Sequence, residues 1–357
     1  MQSGQGGARL VGQKLLEQFV AAGAVHIEAD ILQPAEALLD LYGEDIRGRA
    51  FVTHDPIRGE MMLRPDFTVP VVQAHMAEGA EPARYAYLGE VFRKQDHRGA
   101  ARMAEYLQAG YEVFDRTAPE AADAEVFALF SRILAPLNLT ATIGDIGLLT
   151  ASVEALETLP VRKEALLRHI WRPKRFHALL KRYAGQIPTP PARQALLEGG
   201  VQADGPWIGL RSEEDVAARV ERLRADAAAE PIAQADMARL DALFALRCPA
   251  LEAPAKLRAL DLPEAAIARF EARLAALQAQ GVDLAAVGFE ASHGRTTMEY
   301  YDGFTFAFIG PADLPPVASG GRYDALTAVL GQGKSIPAVG GIIRPNLVAA
   351  LKEAARC

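Results

Sequence analysis

The residue types that most often carry out chemistry in proteins are scattered along this chain. The histidines lie at positions 26, 54, 75, 97, 169, 177 and 293, and the cysteines at positions 248 and 357. No histidine is paired with a cysteine at the spacing of a zinc site. The sequence contains no GxxxxGK(S/T), no strand-associated GxGxxG, no HExxH and no GxSxG. We therefore expect no metal, no cofactor and no serine nucleophile, and we interpret His293 as a solvent-exposed or hydrogen-bonded histidine.

The composition is that of a folded protein. Half of the 357 residues are hydrophobic and 23% are charged, whereas a disordered chain would be poorer in apolar residues. The net charge of −7 argues against general binding of nucleic acid, which depends on neutralising phosphates. Two cysteines and the lack of a long apolar stretch predict a cytoplasmic protein with no membrane segment.

Strand patterns on both sides of a long helical stretch indicate the architecture. Helical spacing predicts a helix over 9–22, and the runs 85–93 and 103–114 predict two strands of an antiparallel hairpin. Residues 151–283 are rich in Ala and Leu at helical spacing. Strand patterns then return, so the sequence predicts an α+β sheet domain over 8–150 and 284–357, interrupted by a helical insertion over 151–283.

Two local signals refine this prediction. Asp302-Gly303 stands between the β-rich runs 296–301 and 304–309, which predicts a hairpin with its turn at this dipeptide. Ser212, followed three residues later by Asp215, matches a capping box and predicts the start of a helix.

Longer segments carry a resemblance to histidyl-tRNA synthetases. LRPDFTVPVVQ at 63–73 resembles their LRPEGT segment, and 87–114, from YLGEVFR to QAGYEVF, resembles class II motif 2. MEYYDGFTFAF at 298–308 resembles LDYYTGTVFE, SGGRYDALTAVLG at 319–331 resembles GGGRYDGL, and PAVGGII at 337–343 is similar to the start of motif 3. The resemblance implies the class II aminoacyl-tRNA synthetase fold, an antiparallel sheet flanked by helices.

Three departures from the synthetase pattern point away from aminoacylation. The stretch 296–299, TTME, stands where synthetases carry RGLD, and 344–347, RPNL, stands where they carry GLER. Both arginines of those motifs are replaced, and we expect Pro345 to disturb the start of a helix. The sequence ends at Cys357, so we also expect no anticodon-binding domain.

Together these features resemble the regulatory subunit of ATP phosphoribosyltransferase, a paralogue of histidyl-tRNA synthetase. The resemblance implies a non-catalytic protein, required by a short-form catalytic subunit and for feedback inhibition by histidine in the first step of histidine biosynthesis. It implies a class II-like dimer within a hetero-octamer, L-histidine as ligand and no binding of tRNA. The alternatives are a stand-alone enzyme that activates an amino acid for a non-tRNA acceptor, and a histidine sensor with another partner.

The resemblance also implies a histidine pocket. By position in the matched motifs, the ammonium group faces Asp66, Thr68 and Gln108. The carboxylate faces Arg93. The imidazole faces Glu112, Tyr301 and Tyr323.

Structural roles are open for several of these residues. Arg93 could pair with Glu105 across the hairpin, and Asp66 could cap the following helix. Tyr301 and Tyr323 could be aromatic residues of a sheet face.

Overall fold

The computed structural model describes residues 2–35, 48, 50–94, 103–199, 210–295, 300–311 and 314–355. The helices are α1 Gln2–Ala21, α2 Thr68–Glu78, α3 Pro119–Leu134, α4 Ile146–Glu154, α5 Pro160–Arg168, α6 Pro173–Tyr183, α7 Pro191–Gly199, α8 Glu213–Ala228, α9 Gln234–Ala245, α10 Ala253–Ala259, α11 Glu264–Ala279, α12 Asp324–Leu330 and α13 Pro345–Ala354. The strands are β1 Val25–His26, β2 Leu32–Pro34, β3 Val52–Asp55, β4 Gly59–Leu63, β5 Ala83–Phe92, β6 Glu105–Phe114, β7 Thr140–Asp145, β8 Arg247–Pro249, β9 Val287–Glu290, β10 Phe304–Ile309, β11 Ala318–Arg322 and β12 Ala338–Ile343. No helix in these ranges has the length and apolarity needed to cross a bilayer.

The chain divides into two compact units. The first comprises Met1–Leu148 and Ala245–Cys357, and the second comprises Leu149–Phe244. The helical insertion predicted over 151–283 therefore coincides with the second unit only up to residue 244. Residues 245–283 belong to the first unit because β8 pairs with β9 at the sheet edge and α11 packs against α3.

The first unit is built on a nine-stranded sheet with the order β1-β5-β6-β12-β11-β10-β7-β9-β8. Its neighbours are antiparallel except for β1 with β5 and β7 with β9. The predicted hairpin is confirmed, since β5 and β6 pair from Ala83 with Phe114 to Phe92 with Glu105. A second sheet of three antiparallel strands has the order β2-β4-β3.

One face of the large sheet packs against α1 and α3. Phe19 of α1 lies with its ring centroid 5.5 Å from that of Tyr111 on β6. Phe130 of α3 makes an edge contact with Phe306 of β10 at 5.6 Å. Burial of these aromatic side chains on one face leaves the opposite face available for other elements.

The second unit is helical and has its own apolar core. The core residues include Leu156, Leu166, Phe176, Leu180 and Leu240. Its helix α8 begins with the predicted capping box, which is confirmed. The Asp215 amide donates to Ser212 Oγ at 3.1 Å, and the Ser212 amide donates to Asp215 Oδ2 at 3.0 Å.

The hairpin predicted at Asp302-Gly303 is wrong. Residues 296–299 of its first strand lie outside the described residues, and Tyr300–Asp302 is not a strand. Both edges of β10 are occupied, by β7 and by β11. The Asp302 carboxylate instead accepts hydrogen bonds from the amides of Asp324, at 3.1 Å, and Ala325, at the start of α12.

The expected effect of Pro345 is also wrong. Pro345 is the first residue of α13, and Arg344 is its N-cap. Proline is well suited to the first helical position because its missing N–H would have no partner inside the helix there. The helix therefore begins at the proline.

A buried cluster of charges joins helices and strands of the first unit. Arg273 of α11 is fully buried and pairs with Asp123 of α3 at 2.7 Å and with Asp145 at the end of β7. Arg322 of β11 pairs with the same Asp123 at 2.8 Å and with Asp324 at 3.0 Å. Buried ions are tolerated only when they are paired, so this cluster fixes α3 and α11 against the sheet.

We predict that Arg273→Met lowers the free energy of unfolding by about 3–5 kcal/mol, because it removes the arginine that pairs with the buried Asp145 carboxylate and leaves Asp123 paired with Arg322 alone. Urea unfolding at neutral pH measures this loss. The matched control is Arg269→Met on the same helix, whose partner Glu120 lies at 2.8 Å on α3 in an exposed pair. The control should cost less than about 1 kcal/mol. Equal losses in both variants would contradict the role of the cluster.

Candidate functional site

The second face of the nine-stranded sheet carries a row with almost no side chains. Glu112 on β6 lies opposite Gly340 on β12, and Gly340 lies opposite Gly321 on β11. Gly321 lies opposite Thr305 on β10. Directly opposed residues share a sheet face, so the two adjacent glycines leave room for larger side chains to approach the backbone between Glu112 and Thr305.

These glycines are required by the close approach of larger side chains. A Cβ at Gly340 would lie 1.5 Å from Glu112 Oε2. A Cβ at Gly110 would lie 2.1 Å from the ring of Tyr87. Glycine at these positions lets an acid and an aromatic ring lie flat against the sheet.

Three hydroxyl groups converge on the Glu112 carboxylate, which is 1% exposed. Tyr323 Oη donates to Oε2 at 2.6 Å, and Tyr87 Oη donates to Oε1 at 2.9 Å. Thr68 Oγ1, at the start of α2, donates to Oε1 at 3.3 Å. Tyr300 Oη donates in turn to Thr68 Oγ1 at 3.4 Å.

Burial raises the pKa of Glu112 to about 7, although the three hydroxyl donors act in the opposite direction. Loss of hydration penalises the ionised carboxylate more than the hydrogen bonds stabilise it. The group therefore changes charge near neutral pH. A ligand that brings a proton donor or a positive charge beside it would favour its ionised form.

A second acid, Asp66, lies near this carboxylate and adds to the rise in its pKa, and an arginine lies beside Asp66. Asp66 is 4% exposed, and its Oδ2 lies 3.8 Å from Arg93 Nη2. Arg93 Nε donates to the carbonyl of Pro65 at 2.7 Å. Helix α2 has Phe67 at its N-cap position with no side-chain cap hydrogen bond, so Asp66 does not cap it.

The remaining two residues of the predicted pocket lie on the same side of the sheet. Gln108 is 1% exposed, and its buried Oε1 accepts no hydrogen bond from the described parts of the chain. Tyr301 is buried, and the charges of Glu112 and Asp66 help to raise its pKa after the larger effect of burial. The structure thus brings six of the predicted residues within interaction range of one another and places Gln108 on the same face of the sheet.

Comparison with known proteins gives the family. A family model described as histidyl-tRNA synthetase matches residues 7–229 and 209–347. A curated relative from Allorhizobium ampelinum, named ATP phosphoribosyltransferase regulatory subunit, is 36% identical over 91% of this chain and 93% of the relative. A second one, from Agrobacterium fabrum and of the same name, is 35% identical over 92% of each chain. The chain belongs to this family of regulatory subunits.

Solved structures agree on the fold of the family. A Bacillus halodurans structure titled ATP phosphoribosyltransferase regulatory subunit/histidyl-tRNA synthetase has a TM-score of 0.68 at 23% identity and covers 97% of this chain and 79% of its own. A histidyl-tRNA synthetase from Nostoc has a TM-score of 0.60 at 16% identity, covering 98% and 70%. The predicted α+β fold of the class II synthetase type is confirmed.

Sequence reasoning missed three residues that the structure places at the pocket. Tyr87 binds Glu112, Tyr300 binds Thr68, and Arg344 lies close to both Arg93 and Tyr301. Tyr87 is the first residue of the segment 87–114 that resembles motif 2, so its position could have marked it as a candidate. Tyr300 stands beside Tyr301 in the matched segment 298–308, and Arg344 follows the segment 337–343, but the resemblance gave neither residue a role.

We predict that Glu112→Gln removes a pH dependence of stability. In the folded protein the pKa of Glu112 is raised from 4.5 to about 7. The contribution of Glu112 to the free energy of unfolding is therefore fully present below pH 4.5 and is lost as the pH rises through about 7. The pKa difference corresponds to about 3 kcal/mol. Relative to the variant, wild type should lose this free energy of unfolding between pH 4.5 and 8, as measured by urea unfolding. A constant difference would show that Glu112 titrates normally.

We also predict that Gly340→Ala disrupts the pocket, because the added Cβ would collide with the Glu112 carboxylate. Thermal unfolding should show a loss of about 2 kcal/mol or more, in the range of overpacked sites. The matched control is Gly288→Ala on strand β9, where a Cβ would meet its nearest atoms at 3.7 Å. If both variants were equally stable, the close approach at Gly340 would be wrong.

Proposed function

We propose that this chain is the regulatory subunit of an ATP phosphoribosyltransferase and that it binds L-histidine in the pocket around Glu112. In this role a short-form catalytic subunit requires the chain for activity, and histidine bound to the chain inhibits the complex. The proposal includes a class II-like dimer within a hetero-octamer, located in the cytoplasm, and no binding of tRNA.

The observation that carries the histidine assignment is the complementarity of the pocket to a free amino acid. Asp66 supplies an acid for the ammonium group, and Arg93 supplies a guanidinium for the carboxylate. Their closest atoms are 3.8 Å apart, so the two charged subsites are adjacent, as the two groups on one α-carbon are. Gln108 presents a buried acceptor with no donor from the described residues.

Glu112 is the residue that we assign to the imidazole group of the ligand. An imidazole N–H needs an acceptor, and a buried carboxylate held by tyrosine hydroxyls offers one. Because its pKa is about 7, Glu112 can be neutral in the empty pocket and ionised beside an imidazolium. An apolar side chain of the same size would offer this carboxylate neither a further hydrogen-bond donor nor a positive charge, which disfavours leucine or methionine as ligand.

Amino-acid activation is the less favoured function. A nucleotidyl transfer must neutralise negative charge that builds on the triphosphate, and arginines usually do so. Leu347 stands where the synthetase motif GLER has its arginine, and Thr296 where RGLD has its own. Among the residues that the resemblance assigns to holding an amino acid, Asp66 keeps the acid of LRPEGT in a shorter side chain, whereas two residues for activating the amino acid are replaced.

Regulation then takes the form of a coupling free energy between this pocket and the active site of the catalytic partner. Histidine must bind the inhibited form of the complex more tightly than the active form. Activation and inhibition are separable in this scheme, because the first needs only assembly and the second needs an occupied pocket.

Reconstitution tests the proposal. The purified chain is mixed with a short-form ATP phosphoribosyltransferase, and formation of phosphoribosyl-ATP is followed with and without histidine. We expect activation by the chain and inhibition by histidine. Asp66→Asn should still activate, but should need at least about tenfold more histidine for inhibition, because a charge-assisted hydrogen bond to the ammonium is lost. Asp241→Asn, at a half-exposed carboxylate, is the control.

Two results would contradict the proposal. Failure to activate, together with histidine-dependent ATP–pyrophosphate exchange by the chain alone, would assign it to the enzyme alternative. Inhibition that is unchanged in Asp66→Asn would place the histidine site elsewhere.

A further inference from the structure

Arg344 occupies a position at the pocket for which the sequence provides no role. It follows β12 directly, and strand alternation places it on the face of Gly340 and Ile342, which is the face of Glu112. Ile343 pairs with Ala109, so the next position along the register lies level with Gln108. Arg344 is fixed there by its backbone, whose N–H donates to the carbonyl of Val317 at 2.9 Å.

The Arg344 guanidinium is only partly used by the protein. It donates from Nη1 to the carbonyl of Pro316 and makes a side-chain hydrogen bond with Tyr106. Both partners are uncharged. No carboxylate within the described ranges forms an ion pair with Arg344. A guanidinium has five N–H donors, so donors remain for a ligand.

A second cation lies near Arg344. Burial lowers its pKa, and the nearby Arg93 guanidinium lowers it further, so the two cations lie within electrostatic range. Asp66 lies 3.8 Å from Arg93. Within the described ranges no carboxylate forms an ion pair with Arg344, so this second guanidinium favours binding of an anion.

We propose that Arg344 and Arg93 together bind the α-carboxylate of the ligand, and that Arg344 makes a free carboxylate a condition for binding. This inference rests on the proposed function and deepens it. A carboxylate is favoured over a phosphate because Asp66 and Glu112 adjoin the same space and would repel a second negative charge. Arg344 stands at the glycine of the GLER motif, so it adds a cation that the synthetase pattern lacks.

Calorimetric titration of the full chain with L-histidine and with L-histidinol tests this inference. Histidinol keeps the ammonium and the imidazole but has a hydroxymethyl group in place of the carboxylate. We expect Arg344→Met to weaken histidine binding about 10- to 100-fold and to change histidinol binding by less than about threefold. Arg344→Lys, which keeps the charge, should recover part of the preference for histidine.

The control is Arg116→Met, an exposed arginine paired with Glu81. It should leave both affinities unchanged. Thermal unfolding with and without ligand verifies that each variant is folded. If Arg344→Met does not fold, the lysine variant and the wild-type preference for histidine over histidinol decide the question.

The outcomes separate the two proposals. If wild type binds histidine but Arg344→Met binds it equally well, or loses histidine and histidinol alike, the role of Arg344 is wrong and the histidine pocket stands. If wild type binds histidine and histidinol equally, the carboxylate requirement is wrong. If wild type binds AMP in an Arg344-dependent manner and no histidine, both proposals are wrong and the two arginines hold a phosphate.

Discussion

The pocket depends on the burial of one carboxylate within a sheet face. A buried carboxylate near the C-terminal end of β6 needs space beside the backbone, which the missing Cβ of Gly340 provides, and it needs donors to replace water. The donors come from three parts of the chain: Tyr87 on β5, Thr68 at the start of α2, and Tyr323 just before α12. One side chain thus fixes the relative positions of elements far apart in the sequence.

The two faces of the sheet use charge in different ways. On the helix-covered face, Arg273 and Arg322 form ion pairs with Asp123, Asp145 and Asp324, so these charges hold helices and strands of the fold together. On the pocket face, Glu112 is held by neutral hydroxyls and Arg344 donates to a backbone carbonyl, which leaves the charge of these two groups available to a ligand. Arg322 and Tyr323 are consecutive, so one short segment contributes to both faces.

Much of this architecture could be predicted from sequence. The hairpin of β5 and β6 follows from residue alternation over ten-residue strands, and the motif positions pointed to seven side chains, which remain the predicted ligand contacts. The Asp302-Gly303 turn was predicted wrongly because a local signal cannot report that both edges of β10 are already paired. The expectation at Pro345 was wrong because proline, which disrupts the interior of a helix, is favoured at the first helical position. Arg344 could not be assigned a role from the sequence, because its position depends on the register of β12 and on a backbone hydrogen bond to Val317, which is distant from it in the chain.

The glycine opposite Glu112 has a consequence for how such a protein can change. Because the carboxylate fills the volume that a Cβ at position 340 would need, the two positions are not independently mutable. A larger residue at 340 becomes tolerable only after position 112 has lost its long acid, and restoring the acid then requires the glycine first. The order of substitutions, as well as their identity, therefore limits which ligand specificities can evolve in this pocket.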